Sequence, residues 1–241
     1  MLTLLSFPGS DGFASHSPFC LKAMCLLEMS GRDWDVEIIQ DLSAMPLGRV
    51  PVLRVGDDLI PDSHNIQAYL ETQGADFDGA LTAWQRSQSH AIIRVVEESL
   101  RMGLVHDRWL NPQVWPIMSD AFFAAVPAPA RAQVAEVAQE QVRQGLMSHG
   151  IAQFDESDRL MRMEKDLDTV TAVLTDQSFL FGAHPTAADA AVAPVIDMIL
   201  RLPAATGLRK LAQARPTLAP YVGRVRSAIY PTDVQIASVA A

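Results

Sequence analysis

Cysteine is scarce in this chain, with only Cys20 and Cys25 among 241 residues. A secreted protein of this length more often carries several bridges, so the scarcity points to a reducing compartment and a cytoplasmic protein. Basic residues are also short, 19 Lys and Arg against 28 Asp and Glu, for a formal net charge of −9. That balance argues against nucleic acid or an anionic membrane surface as the main partner. There is no apolar run of about 18 residues, so no membrane-spanning helix is expected. The stretch MLTLLSFPGSDG lacks a basic opening, and its apolar run stops at Phe7, unlike a signal peptide. Six histidines are scattered without HExxH or paired spacing, so no metal site is expected.

What is present reads as a globular protein. Hydrophobic residues make up 49% and charged residues 20%, which excludes a disordered chain. The length allows one large or two small domains. The pattern changes near residue 74. Before it, LTLLSF (residues 2–7) has strand length, and PGSDGFASHS is rich in turn formers. PFCLKAMCLLEMSG reads as a helix with Pro18 in its first turn and Gly31 at its end. DWDVEII (33–39) alternates as a strand, and VPVLRV and LIP, joined by Gly56-Asp57-Asp58, read as a hairpin. SHNIQAYLE (63–71) predicts a short helix with serine as its cap. This order implies an α/β layer of residues 1–73 and a linker of about 74–82.

From residue 83 to 241 the pattern is helical. Ile93, Val96, Leu100 and Leu104 recur at helical steps, as do Leu160, Met163, Leu167, Val170 and Leu174. Breaks at NPQVWP, VPAPA, GAHPT and RLPAATG divide five or six helices. PTAAD places Thr186 at a cap with Asp189 three residues on, a capping-box variant.

S-P-F-C-L-K opening a helix, then R-V-P-V-L, then D-S-H-N-I-Q-A-Y-L-E, then F-L-F-G-A-H-P-T-A-A-D, resemble in order and spacing a glutathione S-transferase. The resemblance covers essentially the whole chain. SPFCLKA, EESLRMGLVHDRWL, QGLMSHGI and FLFGAHPTAADA resemble more closely the metaxin-like, failed-axon-connections branch. Its members are not all demonstrated transferases. The resemblance implies a thioredoxin-like amino-terminal domain and an all-α carboxy-terminal domain. It implies glutathione on the first domain, a small apolar electrophile as second substrate, and a homodimer.

Each part of glutathione needs a different partner. The resemblance assigns the γ-glutamyl head to Asp62 and Ser63. Asp62 can accept its ammonium, and helix-start N–H groups at Ser63 can bind its carboxylate. The family more often has Glu or Gln before this serine, so the shorter aspartate shifts that contact. On local sequence alone, both residues read more simply as helix caps. The cysteinyl middle falls to Val50 and Pro51, through an X-Pro bond that is cis in thioredoxin-like folds. Arg49 is the candidate for the glycine carboxylate, and Phe19 joins the glutathione-binding set.

The thiol falls to Ser17, with Ser15 as a substitute. A free thiol titrates at about 8.5, so only a few per cent is thiolate at pH 7. A hydroxyl donor at a helix N-terminus favours the thiolate, and a drop of about two units amounts to about 2.7 kcal/mol. Ser17 is then a hydrogen-bond donor, and glutathione itself is the nucleophile. The plain alternative is an N-cap serine before Pro18. Classes that use a tyrosine near the chain start are excluded, because none precedes Tyr69.

The second-substrate pocket is assigned to Phe13 and to a helix carrying Met102, His106, Trp109 and Trp115. An aromatic or methionine-rich helix face is more often core than pocket. His106-Asp107-Arg108 reads as acid–base groups or, more simply, as a solvated or salt-bridged stretch. Two other functions compete with the transferase. One is a non-catalytic module that binds a ligand or a protein. The other is a thiol oxidoreductase working through Cys20, which requires an exposed thiol. Cys20 and Cys25 stand five residues apart on one helix, a poor disulfide pair.

Overall fold

The computed structural model describes residues 1–10, 12–39 and 41–231; the end of the helical half, 232–241, lies outside the described residues. The strands are β1 (Leu2–Ser6), β2 (Trp34–Ile38), β3 (Val52–Val55) and β4 (Asp58–Pro61), in sheet order β2-β1-β3-β4. β1 runs parallel to β2, with Leu2 opposite Trp34, and antiparallel to β3, with Leu2 opposite Val55. A parallel pair needs a crossover, and α1 (Pro18–Ser30) supplies it. Leu4 and Leu5 point to opposite faces of β1 and are both buried, so the sheet is covered on both sides. α1 is buried from Cys20 to Leu27, Lys22 included.

Local chemistry sets the ends of these elements. Ser17 caps α1 by accepting from the Cys20 N–H, and Gly31 ends the helix at φ 65°, where a side chain is disfavoured. The hairpin differs from expectation by one residue. Asp58 pairs with Val55, leaving Gly56 and Asp57 as a two-residue turn with glycine first, at φ 61°. α2 (Ser63–Thr72) is capped by Asp62, not by the serine. The Asp62 carboxylate accepts from the His64 N–H at 2.9 Å, which leaves Ser63 as the first helical residue.

The helical half comprises α3 (Ala83–Arg94), α4 (Arg101–Leu110), α5 (Trp115–Phe122), α6 (Ala128–His149), α7 (Glu156–Leu174), α8 (Ala187–Leu200), α9 (Gly207–Gln213) and α10 (Leu218–Ile229). A π-helical turn, Val95–Leu100, joins α3 to α4, and a short 3-10 turn, Ile151–Gln153, precedes α7. The described residues thus hold more helices than expected, because α5 and α9 are too short to show a period. Ile93, Val96, Leu100 and Leu104 are all buried despite the π turn between them. Trp115 opens α5 and so does not share a helix with Trp109.

The chain forms two compact units. The first gathers Met1–Ser89, Asp176–Pro194 and the chain from Tyr221; the second gathers His90–Thr175 and Val195–Pro220. Within the first, Asp189 is the polar centre. Its carboxylate accepts from the Leu180 N–H at 2.9 Å, the Thr186 N–H at 2.8 Å and hydroxyl at 2.9 Å, and the Tyr221 hydroxyl at 3.0 Å. The residues read as a linker are held to the same unit. Phe77 is buried, and its carbonyl accepts from the Ala187 N–H at 3.2 Å.

Candidate functional site

The residues assigned to glutathione lie on the first unit, and a chain of contacts joins several of them. The Cys20 N–H donates to Ser17 Oγ at 3.3 Å. Cys20 packs with Leu5, Val50 and Val52 in one apolar cluster. The Val50–Pro51 peptide is cis. The Pro51 carbonyl accepts from the Asp62 N–H at 3.0 Å, and Asp62 pairs with Arg49 at 3.6 Å. The start of α1, the turn into β3 and the start of α2 therefore meet in one place.

Asp62 is the unusual residue here. It sits at φ 79° and ψ 138°, a left-sided conformation that L side chains seldom adopt. Three contacts hold it there: its N–H to Pro51, its carboxylate to the His64 N–H, and its ion pair with Arg49. The ion pair is largely exposed, at 66% for the arginine and 39% for the aspartate, so it is weak and open to exchange with a ligand. Ser63, beside it, is buried with its backbone at the helix start.

Around Ser17 the chain is rich in hydroxyls. Ser15 is fully buried; its Oγ donates to the Phe7 carbonyl at 2.9 Å and accepts from the Ser17 N–H at 3.2 Å. Ser6 lies 3.3 Å from Ser15 through its own hydroxyl. Ser17 is less buried than Ser15, and its oxygen accepts from the Cys20 N–H, leaving the hydroxyl proton to donate. Phe19 is half-buried in the first turn of α1. Cys20 has no exposed surface, and burial pushes its thiol pKa up against the smaller opposing effects of Ser6, Phe7, Ser17 and Ser15. Cys25 is likewise buried and raised. The oxidoreductase reading needs an exposed Cys20, and burial leaves that requirement unmet.

The second-substrate candidates fall on both units. Phe13 belongs to the first, where the Arg226 guanidinium of α10 lies 5.7 Å from its ring centroid and donates to the Gly12 carbonyl at 2.7 Å. Met102, His106 and Trp109 belong to the second unit. Trp109 stacks on Trp115 at 5.1 Å and packs against Phe122 and Phe123. His106 Nδ1 lies 3.6 Å from Asp107 Oδ1. Asp107 and Arg108 are buried rather than solvated, and burial pushes the Arg108 guanidinium down to about 10. Among the described residues no group of three or more His, Cys, Asp or Glu could hold a metal ion, and no helix is long and apolar enough to cross a membrane.

Sequence reasoning did not find Arg226, which stands 214 positions from Gly12. It also missed the polar groups of the second unit around Ser99 and Asp166. No local spacing signals either, since both depend on which helices pack together.

Comparison with known proteins agrees with this architecture. The family model for the glutathione S-transferase N-terminal domain matches residues 18–114, and the model for the C-terminal domain matches residues 131–228. Metaxin-1 of Macaca fascicularis is 25% identical over 241 residues, covering 96% of this chain and 76% of that protein. Metaxin-1 of Homo sapiens is 24% identical over the same share of this chain, which spans 52% of the human protein. Among solved structures, the beta-etherase LigF of Sphingobium sp. strain SYK-6 is 15% identical with a TM-score of 0.66, covering 94% of this chain and 95% of that one. At that identity the likeness shows the fold alone. A sheet of order β2-β1-β3-β4, a cis proline entering β3, helices from residue 83 onward and both domain matches place this chain in the glutathione S-transferase superfamily, on its metaxin-like side.

Proposed function

We propose that the first unit binds glutathione and that the chain is a transferase-type enzyme activating the bound thiol toward a small apolar electrophile. The observation that carries this reading is the geometry of Asp62. A non-glycine residue at φ 79° persists only where its surroundings impose it, and such residues concentrate at ligand sites. Here the strain turns a carboxylate toward the start of α2, next to N–H groups that suit an anion. A cation acceptor beside an anion acceptor matches the head of an amino acid. Arg49, already beside Asp62, supplies a second cation for a glutathione carboxylate. Val50 offers its backbone to the cysteinyl unit, and the Ser17 hydroxyl donates to the sulfur. Candidates for the electrophile are Phe13 on the first unit and, separately, Met102, His106 and Trp109 on the second. Homodimerisation and a cytoplasmic location belong to the same proposal.

A second reading has one observation in its favour. The curated relatives are metaxins, matched over 96% of this chain. A metaxin-like member would use the same surface to bind a ligand or a protein without turnover.

Calorimetry of glutathione binding at neutral pH, on the wild type and on Ser63→Ala, tests the first reading. Thiolate absorbance at about 240 nm is followed in parallel, with Ser17→Ala as control. The expected result is binding that Ser63→Ala abolishes and a thiolate band that Ser17→Ala removes. Binding without a thiolate band favours the second reading. No binding by the wild type overturns both the glutathione site and the transferase.

A further inference from the structure

A cavity of about 680 Å³ lies wholly within the second unit, between the π turn, the end of α6 and the start of α7. Its size is that of a small-molecule site. Its apolar lining is Ile151 and Met163, both buried, with Phe154 half-buried and Met161 half-exposed.

The charges around that lining are unequally engaged. Both acids are already committed: Glu98 pairs with Arg94 at 3.1 Å, and Asp166 accepts from the Ser99 hydroxyl at 2.5 Å. Burial also raises the Asp166 pKa, against the smaller effect of Ser99, which weakens it further as a free anion. The basic groups differ. The Arg162 guanidinium carbon lies 4.0 Å from the Phe154 ring centroid, a contact with the ring that uses none of its five N–H donors. Arg162, Lys165 and His149 stand exposed at the cavity's rim, and among the described residues their side chains have no protein acceptor. The cavity therefore joins an apolar lining to unspent donors of positive sign, in a protein whose net charge is −9.

The π turn carries Ser99, whose hydroxyl engages Asp166. A π turn adds a residue to the helical repeat and is frequent at functional sites.

We propose that this cavity binds a small organic anion with an apolar body, of the class of a medium-chain carboxylate, its carboxylate held by Arg162 and Lys165. A planar carboxylate matches the guanidinium edge, and Lys165 adds a point charge. The chain lies on Ile151, Phe154 and Met163. The site is separate from the residues assigned to glutathione, and its test does not depend on that reading.

The experiment is a titration of the full-length protein, labelled with 13C in its methionine methyl groups, with decanoate below its micellar concentration. Decylamine has the same apolar body with the charge inverted. The expected result is a saturable shift of the Met161 and Met163 resonances with decanoate and none with decylamine. Arg162→Gln and Lys165→Gln each weaken decanoate by about tenfold, the loss from one charged hydrogen bond. Lys210→Gln, on α9, leaves the affinity unchanged. Equal shifts with decylamine, unchanged affinity in both glutamine variants, or shifts confined to methionines elsewhere would each overturn the assignment.

Discussion

A thiol with no exposed surface has neither a route to a disulfide partner nor a solvated anion. Cys20 and Cys25 are both in this state, and burial raises both thiol pKa values above the usual value. The sign is plain: the thiolate forms only above the raised pKa, so little exists at pH 8. Native protein at pH 8 should therefore show no thiol reacting promptly with Ellman's reagent, and two once urea unfolds it. One reactive thiol in the native state would return Cys20 to the oxidoreductase reading. Ser17 has the opposite position. It can give its hydroxyl proton to a ligand while its oxygen still caps α1. The capping and functional readings of this serine, alternatives in the sequence, are compatible in the structure.

At the scale of elements, helix starts carry most of the polar organisation. Asp62 rather than Ser63 caps α2, so the two substitutions separate binding from stability. Asp62→Ala should cost about 1 kcal/mol through the lost cap, whereas Ser63→Ala should leave the urea midpoint nearly unchanged. α8 depends on Asp189 in the same way, with more at stake. Four donors from Leu180, Thr186 and Tyr221 converge on its two oxygens in a fully buried setting. Asp189→Asn replaces one oxygen by a donor that faces donors. The expected loss is about 2 kcal/mol or more, read as a lower urea midpoint at constant m-value. Thr186 and Asp189 could be paired from their spacing alone. Leu180 and Tyr221 could not, because they lie 9 and 32 positions from Asp189.

At the scale of the molecule, the strand-rich segment does not stand by itself. Its compact unit includes residues 176–194 and the chain from Tyr221. The Phe77 carbonyl meets Ala187, and Gly12 and Phe13 meet Arg226. A fragment of residues 1–82 would lack those partners and keep buried apolar groups exposed. It should unfold without a cooperative urea transition, whereas the full chain shows one; a sharp transition in the fragment would mean an autonomous domain. The sequence by itself determined the order of strands and helices, the helix ends at Pro18 and Gly31, the apolar stripes and the Thr186–Asp189 cap. All of these follow from forces within a few residues of the chain: periodicity, backbone preference and local hydrogen bonding. Only the tertiary structure decided the backbone of Asp62, the burial of Cys20, the reach of Arg226 to Phe13 and the cavity beside the π turn. Each of those rests on groups far apart in sequence, brought together by burial of apolar surface, a force without a sequence spacing of its own.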